Sequence, residues 1–168
     1  IGGALASGGS VTNASARQVT ILSAGNDSSK SFNIVGTDVN GAALTENLTG
    51  ANAGTATSTG YFKTIASITA VGNPAGNVSA GINANAAGVV FAGRTRLQGF
   101  SFVSGGTAGI ANLRNGGVTG TEVIQFRSIG TDNSSDDPFI PDEGVLFKDG
   151  CYVTFVVPQF DLMMFYHA

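Results

Sequence analysis

Apolar positions along this chain fall in short alternating runs, and none recurs at the three-to-four-residue spacing of a helix. Residues 17–70, RQVTILSAGNDSSKSFNIVGTDVNGAALTENLTGANAGTATSTGYFKTIASITA, place Val19 and Ile21, Phe32 and Ile34, Leu44 and Leu48, then Phe62, Ile65 and Ile68 in separate runs. Clusters of Gly, Asn, Asp and Ser divide them, which is the pattern of half-buried strands joined by turns. The turn at Val39-Asn40-Gly41 constrains the register. A two-residue Asn-Gly turn would set Phe32 and Ile34 on the face opposite Leu44 and Leu48. A three-residue loop with Gly41 left-handed sets all four on one face, and that register is the one the pattern predicts.

Further strands are expected at 97–104, 109–114, 121–128, 145–147, 151–157 and 162–167. In Cys151-Tyr152-Val153-Thr154-Phe155-Val156-Val157 both faces carry apolar residues, so this strand reads as covered on both sides. The closing stretch Phe160-Asp161-Leu162-Met163-Met164-Phe165-Tyr166-His167-Ala168 is also apolar on both faces, and needs cover from its own module or from another chain. Residues 1–16 are small and polar and read as an arm, with Leu5 as its anchor on a neighbouring subunit. Residues 83–88, NANAAG, read as a linker, because only six of the charged residues precede position 83 and thirteen follow it. The predicted organisation is an arm (1–16), a first β module (17–82), the linker and a second β module (89–168). The fold class is all-β, with two small sandwich- or barrel-like modules.

Composition narrows the function more than it names one. Only 11% of the 168 residues are charged, and the net charge of −3 offers no basic footprint for nucleic acid. Low charge combined with 42% apolar residues argues for a packed core against disorder. A neutral surface of small residues suits dense assembly. The single cysteine, Cys151, excludes an intrachain disulfide and reads as a buried apolar residue. The start, Ile-Gly-Gly-Ala-Leu-Ala, carries neither the basic residues nor the apolar core of a secretory signal or membrane span. The missing Met is expected to reflect a longer chain or processing, and no membrane partner is expected.

Two signatures carry a resemblance. One is residues 17–70 continued by the run VGNPAGNVSAG. The other is GRTRLQGFSFVSGG, with Arg94 and Arg96, followed later by PDEGVLFKDGCYVTF. Together they resemble the Gly/Thr/Asn-rich modules of tailed-bacteriophage virion proteins of the head decoration, cement or fibre type. The resemblance spans nearly the whole chain. It implies a non-enzymatic structural protein, a homotrimer that sits on the outer capsid surface and binds the major capsid protein. The alternative within the same resemblance is a tail or head fibre component that binds a host-surface glycan, with Tyr61 and Tyr152 as candidate contacts. A bacterial surface adhesin module is a third reading.

Candidate chemistry is sparse. No Gly-x-Ser-x-Gly elbow is present, and a Cys151–His167 dyad would require their two strands to pair. No catalytic residue and no cofactor are expected. The acidic loop with Asp132, Asp136 and Asp137 offers hard oxygen ligands for calcium without the spacing of an EF-hand, and an ordinary solvated loop is the plainer reading. The interface candidates are Leu5, Arg94, Arg96, Leu162, Met164, Phe165 and Tyr166. Arg94 and Arg96 would share a strand face if 93–102 were extended. The Asn-x-Ser/Thr triplets are attributed to composition.

Overall fold

The computed structural model of the chain describes residues 6–7, 9–104, 106–128, 135–136, 140–156 and 160–167. Every regular element among them is a strand. In order they are Ala6–Ser7 (β1), Ser10–Ser23 (β2), Ser31–Thr37 (β3), Ala43–Thr49 (β4), Thr55–Val71 (β5), Val78–Phe91 (β6) and Thr95–Ser104 (β7). Then come Gly109–Asn115 (β8), Thr121–Ser128 (β9), Ser135–Asp136 (β10), Val145–Phe147 (β11), Cys151–Val156 (β12) and Phe160–His167 (β13). The strands form two sheets, and neither closes into a barrel, which corrects the barrel-like expectation to open sheets.

The chain divides into two compact units between Ala84 and Asn85, so β6 gives its first half to one and its second half to the other. Residues 83–88, expected as a linker, are therefore strand. Ala86 and Ala87 lie opposite Phe155 and Thr154 of β12 and are buried. Small side chains are what a packed position needs, and composition alone cannot tell that need from looseness. Residues 10–16, expected to close an arm, are likewise part of β2. Leu5 lies outside the described residues.

In the first unit the strand order is β4-β3-β5-β2-β6, with β1 on β2. The β3–β4 hairpin has the register anticipated from its turn. Phe32 pairs with Leu48 and Gly36 with Leu44, and Gly41 is left-handed at φ 82°. Phe32, Ile34 and Leu48 are buried, and Leu44 packs against them. One sheet supplies this whole core, together with Val11, Val19, Ile21, Phe62 and Ile65. Two irregularities in the β2–β5 ladder bend it. One leaves residues 13–16 of β2 without β5 partners, and the other leaves 58–60 of β5 without β2 partners. Bulges of this kind curve a strand and increase its twist.

Side chains fill both gaps. Asn13 donates through Nδ2 to the Phe62 carbonyl at 2.9 Å, and Lys63 donates to the Ala14 carbonyl at 2.8 Å. Arg17 reaches the Ala84 carbonyl of β6. In the second bulge Ser58 Oγ accepts from the Val19 N–H at 2.8 Å and donates to the Gly60 carbonyl at 2.9 Å.

In the second unit one sheet runs β6-β12-β8-β9, and the other runs β10-β7-β11 with β13 on the remaining edge of β7. Leu97, Ala111, Leu113, Phe126, Phe147, Cys151 and Val153 form one core, so both sheets contribute to it. Layered packing of two sheets follows from inward-facing alternation on each. Central β12 is covered on both sides as its pattern implied. Cys151 and Val153 face the core, and Tyr152 and Thr154 on the opposite face are also buried.

Candidate functional site

The outer face of β4, β3 and β5 is the first surface that the fold builds. The core takes Phe32, Ile34 and Leu48, so alternation turns their neighbours outward. Thr49, Ser31 and Val71 form one row across the three strands. Asn47, Asn33 and Thr69 form the next, and Thr45, Val35 and Ser67 the third. No charged residue stands in these rows. Thr37 and Thr64 continue the pattern, with their hydroxyls 2.7 Å apart. Glu46, the charged residue of β4, points away from these rows. Its carboxylate accepts the N–H groups of Thr59 and Gly60, each at 2.8 Å.

The arginines of the second unit are distributed differently from the expectation. Arg94 precedes β7 in the bend after β6, so Arg94 and Arg96 do not share a strand face. Arg94 is exposed and has no ion-pair partner among the described residues. Arg96 is held within the chain by Glu143 at 3.0 Å. Arg114 bonds the Gly120 carbonyl at 3.0 Å and pairs with Glu122 at 3.3 Å. Arg127 donates to Gln125 at 2.6 Å. Of these, Arg94 and Arg127 are exposed and have no ionic partner among the described residues.

Strand β13 splits the C-terminal candidates. Leu162 and Met164 pack against the core of their own unit. On the outer face Met163 is 62% exposed and Phe165 55%, whereas Tyr166 alternates to the side of Leu162 and Met164, where it lies 5.6 Å from the ring of Phe91 and stays 45% exposed. Met163 was missed by sequence reasoning. Alternation from half-buried Leu162 and Met164 was the signal that would have found it. Val103 of β7, 40% exposed, stands on the same outer face opposite Asp161.

The remaining candidates separate. Cys151 and His167 do not sit on paired strands. β12 pairs with β6 and β8, whereas β13 pairs with β7, so the condition for a dyad is not met. Burial pushes the Cys151 thiol up to about 12, away from the thiolate. Asp132 and Asp137 lie outside the described residues, and Asp136 pairs through its backbone with Phe102. Among the described residues no three His, Cys, Asp or Glu side chains gather as metal ligands. Tyr152 is 7% exposed, too little to stack a sugar ring on its face.

Two features of the first unit had no sequence signal. An open apolar recess of about 310 Å³ is lined by Ile21, Phe32, Ile68, Ala70, Pro74, Val78 and Ala80. Asp27 is fully buried, and its Oδ1 accepts the Ala75 N–H at 2.7 Å, which clamps the 72–77 turn. Asp27 Oδ2 has no hydrogen-bond partner among the described residues. Comparison of the chain with protein-family models, curated proteins and solved structures found no match.

Proposed function

We propose that this chain is a non-enzymatic structural protein of a tailed-bacteriophage virion. As a homotrimer it decorates the outer capsid surface, with the major capsid protein as its partner. The observation that carries the reading is the charge-free outer face of β4, β3 and β5, built from Thr, Ser, Asn and Val in register across three strands. Burying charge against a partner carries a desolvation cost, and a face without charge can be covered by another protein surface without it. Rigidity is the second requirement of a cementing protein. Both irregularities of the β2–β5 ladder are locked by side-chain hydrogen bonds, which fits a module that transmits load.

Stabilisation of a shell by such a protein is mass-action linkage, since it binds the assembled surface and not the separate subunits. The trimer matches the local threefold positions of an icosahedral shell, and closed point-group symmetry is the default for protein oligomers. The glycan-binding alternative loses one of its two tyrosines to the interior, and no observation here favours it.

The test is the copy number of the chain in purified virions relative to the major capsid protein, by quantitative mass spectrometry. Hundreds of copies, near one per capsid subunit, is the expected result. A few to a few dozen copies would transfer the protein to a fibre or vertex, and absence from particles would end the reading.

A further inference from the structure

We infer that β13 is a self-association edge, and that a second copy of the chain docks on it as an antiparallel strand related by a twofold axis near Met164. The inference goes beyond the decoration reading and is tested without any particle.

Among the described residues β13 pairs with β7 alone, and no other described strand takes up the backbone N–H and C=O groups of its other edge. Sheet edges left in this state are normally protected by charge, Pro, a bulge or shortness. β13 has none of these between Leu162 and Tyr166. It spans eight residues, and the ladder irregularity beside Phe165 falls on the β7 side, where Gln98 is skipped. The other long edges of the described sheets differ. β9 carries Glu122 and Arg127, and β4 turns Thr45, Asn47 and Thr49 outward. The unguarded edge is also the apolar one, because Met163, Phe165 and neighbouring Val103 stand exposed on its outer face.

The hydrogen-bonding chemistry of an open edge selects a β-strand as occupant, and the sequence of β13 selects β13. Set antiparallel about Met164, two copies place Met163 of each opposite Phe165 of the other. The two large exposed apolar side chains then cover each other across the seam. Leu162 falls opposite Tyr166. At the two ends Asp161 falls opposite His167 in register. A shift of two residues in either direction breaks the Met–Phe match. A twofold contact is isologous and cannot lie inside a cyclic trimer, so this seam joins one trimer to another.

The test uses the full chain with the double substitution M163C/F165C, oxidised and run on a non-reducing gel. A two-chain band is expected from the double variant. Each single variant should give far less, because residue 163 then faces Phe165 and residue 165 faces Met163. Equal cross-linking by the singles, or a folded double variant that stays a single chain, would overturn the register and with it the proposal. Sedimentation velocity supplies the second arm. Phe165→Lys changes an exposed side chain, and should weaken twofold association roughly tenfold or more while leaving far-UV circular dichroism unchanged. Wild-type protein with no twofold step at any concentration up to its solubility limit would also overturn it. Either result stands apart from the virion copy number.

Discussion

The carboxylate of Glu46 on β4 accepts the N–H of Gly60 on β5 at 2.8 Å through Oε2, while Oε1 accepts that of Thr59 at the same distance. These strands are not neighbours in the sheet, since β3 lies between them. The curl of the first unit brings its edge strand back to the bulge, and a side chain makes the connection that a ladder would make in a closed barrel. Glu46→Ala leaves the half-buried Gly60 N–H without its acceptor and should cost about 1–3 kcal/mol. Glu46→Gln keeps one acceptor oxygen and should cost less. The check is urea unfolding, with a lower midpoint and an unchanged slope. A midpoint equal to wild type would mean that water serves the bulge as well as the carboxylate does.

Ser58 occupies the interior side of the same bulge, 1% exposed, with its hydroxyl in place of a ladder carbonyl for Val19. Ser58→Ala removes the acceptor of a buried N–H that no water can reach, and the expected loss is about 1–3 kcal/mol. Amide exchange at Val19 should quicken by more than the global loss of stability explains. Equal acceleration across the core would show that Ser58 matters only to the overall fold.

Legibility from sequence followed the reach of each interaction. The β3–β4 register was readable because one local turn and four apolar residues, Phe32, Ile34, Leu44 and Leu48, admit one consistent solution. Central β12 was readable because both of its faces are apolar in sequence. The bulges were not, because Asn13–Phe62 and Glu46–Gly60 are contacts between distant positions and leave no period in the chain. Ala86 and Ala87 misled for a different reason, since a tight packing site and a flexible linker call for the same small residues. The charge-free outer face was half visible. Composition announced low charge, but only the strand register showed that Thr, Ser and Asn align in rows.

Gly41 gives a direct test of the hairpin turn. Its φ of 82° favours glycine, yet a Cβ at this position would meet nothing within 4 Å. The cost of substitution is therefore conformational and not steric. Gly41→Asn should be tolerated within about 1 kcal/mol and Gly41→Val should cost more, because Asn enters the left-handed region far more readily than a β-branched residue. Thermal unfolding of the two variants checks the order. If Val were no worse than Asn, the left-handed turn would not be the feature that sets the register.

Cys151 links the second core to pH. Burial raises its thiol from 9.0 to about 12, so the folded state retains a proton that the unfolded chain releases first. Where the native state binds more protons than the unfolded state, stability falls as pH rises. The contribution is fully present below about pH 9 and is lost progressively between pH 9 and about 12. Cys151→Ala removes this titration, so its stability relative to wild type should improve across that window, against a constant offset for the lost sulfur below it. Denaturant midpoints from pH 7 to 11 measure the difference. The same burial predicts that a thiol reagent at pH 8 labels Cys151 only when the second unit opens. Labelling should therefore follow the opening equilibrium and accelerate with denaturant. Rapid labelling of the native protein would contradict a closed core at Cys151, and a pH-independent gap between the two proteins would contradict the raised thiol.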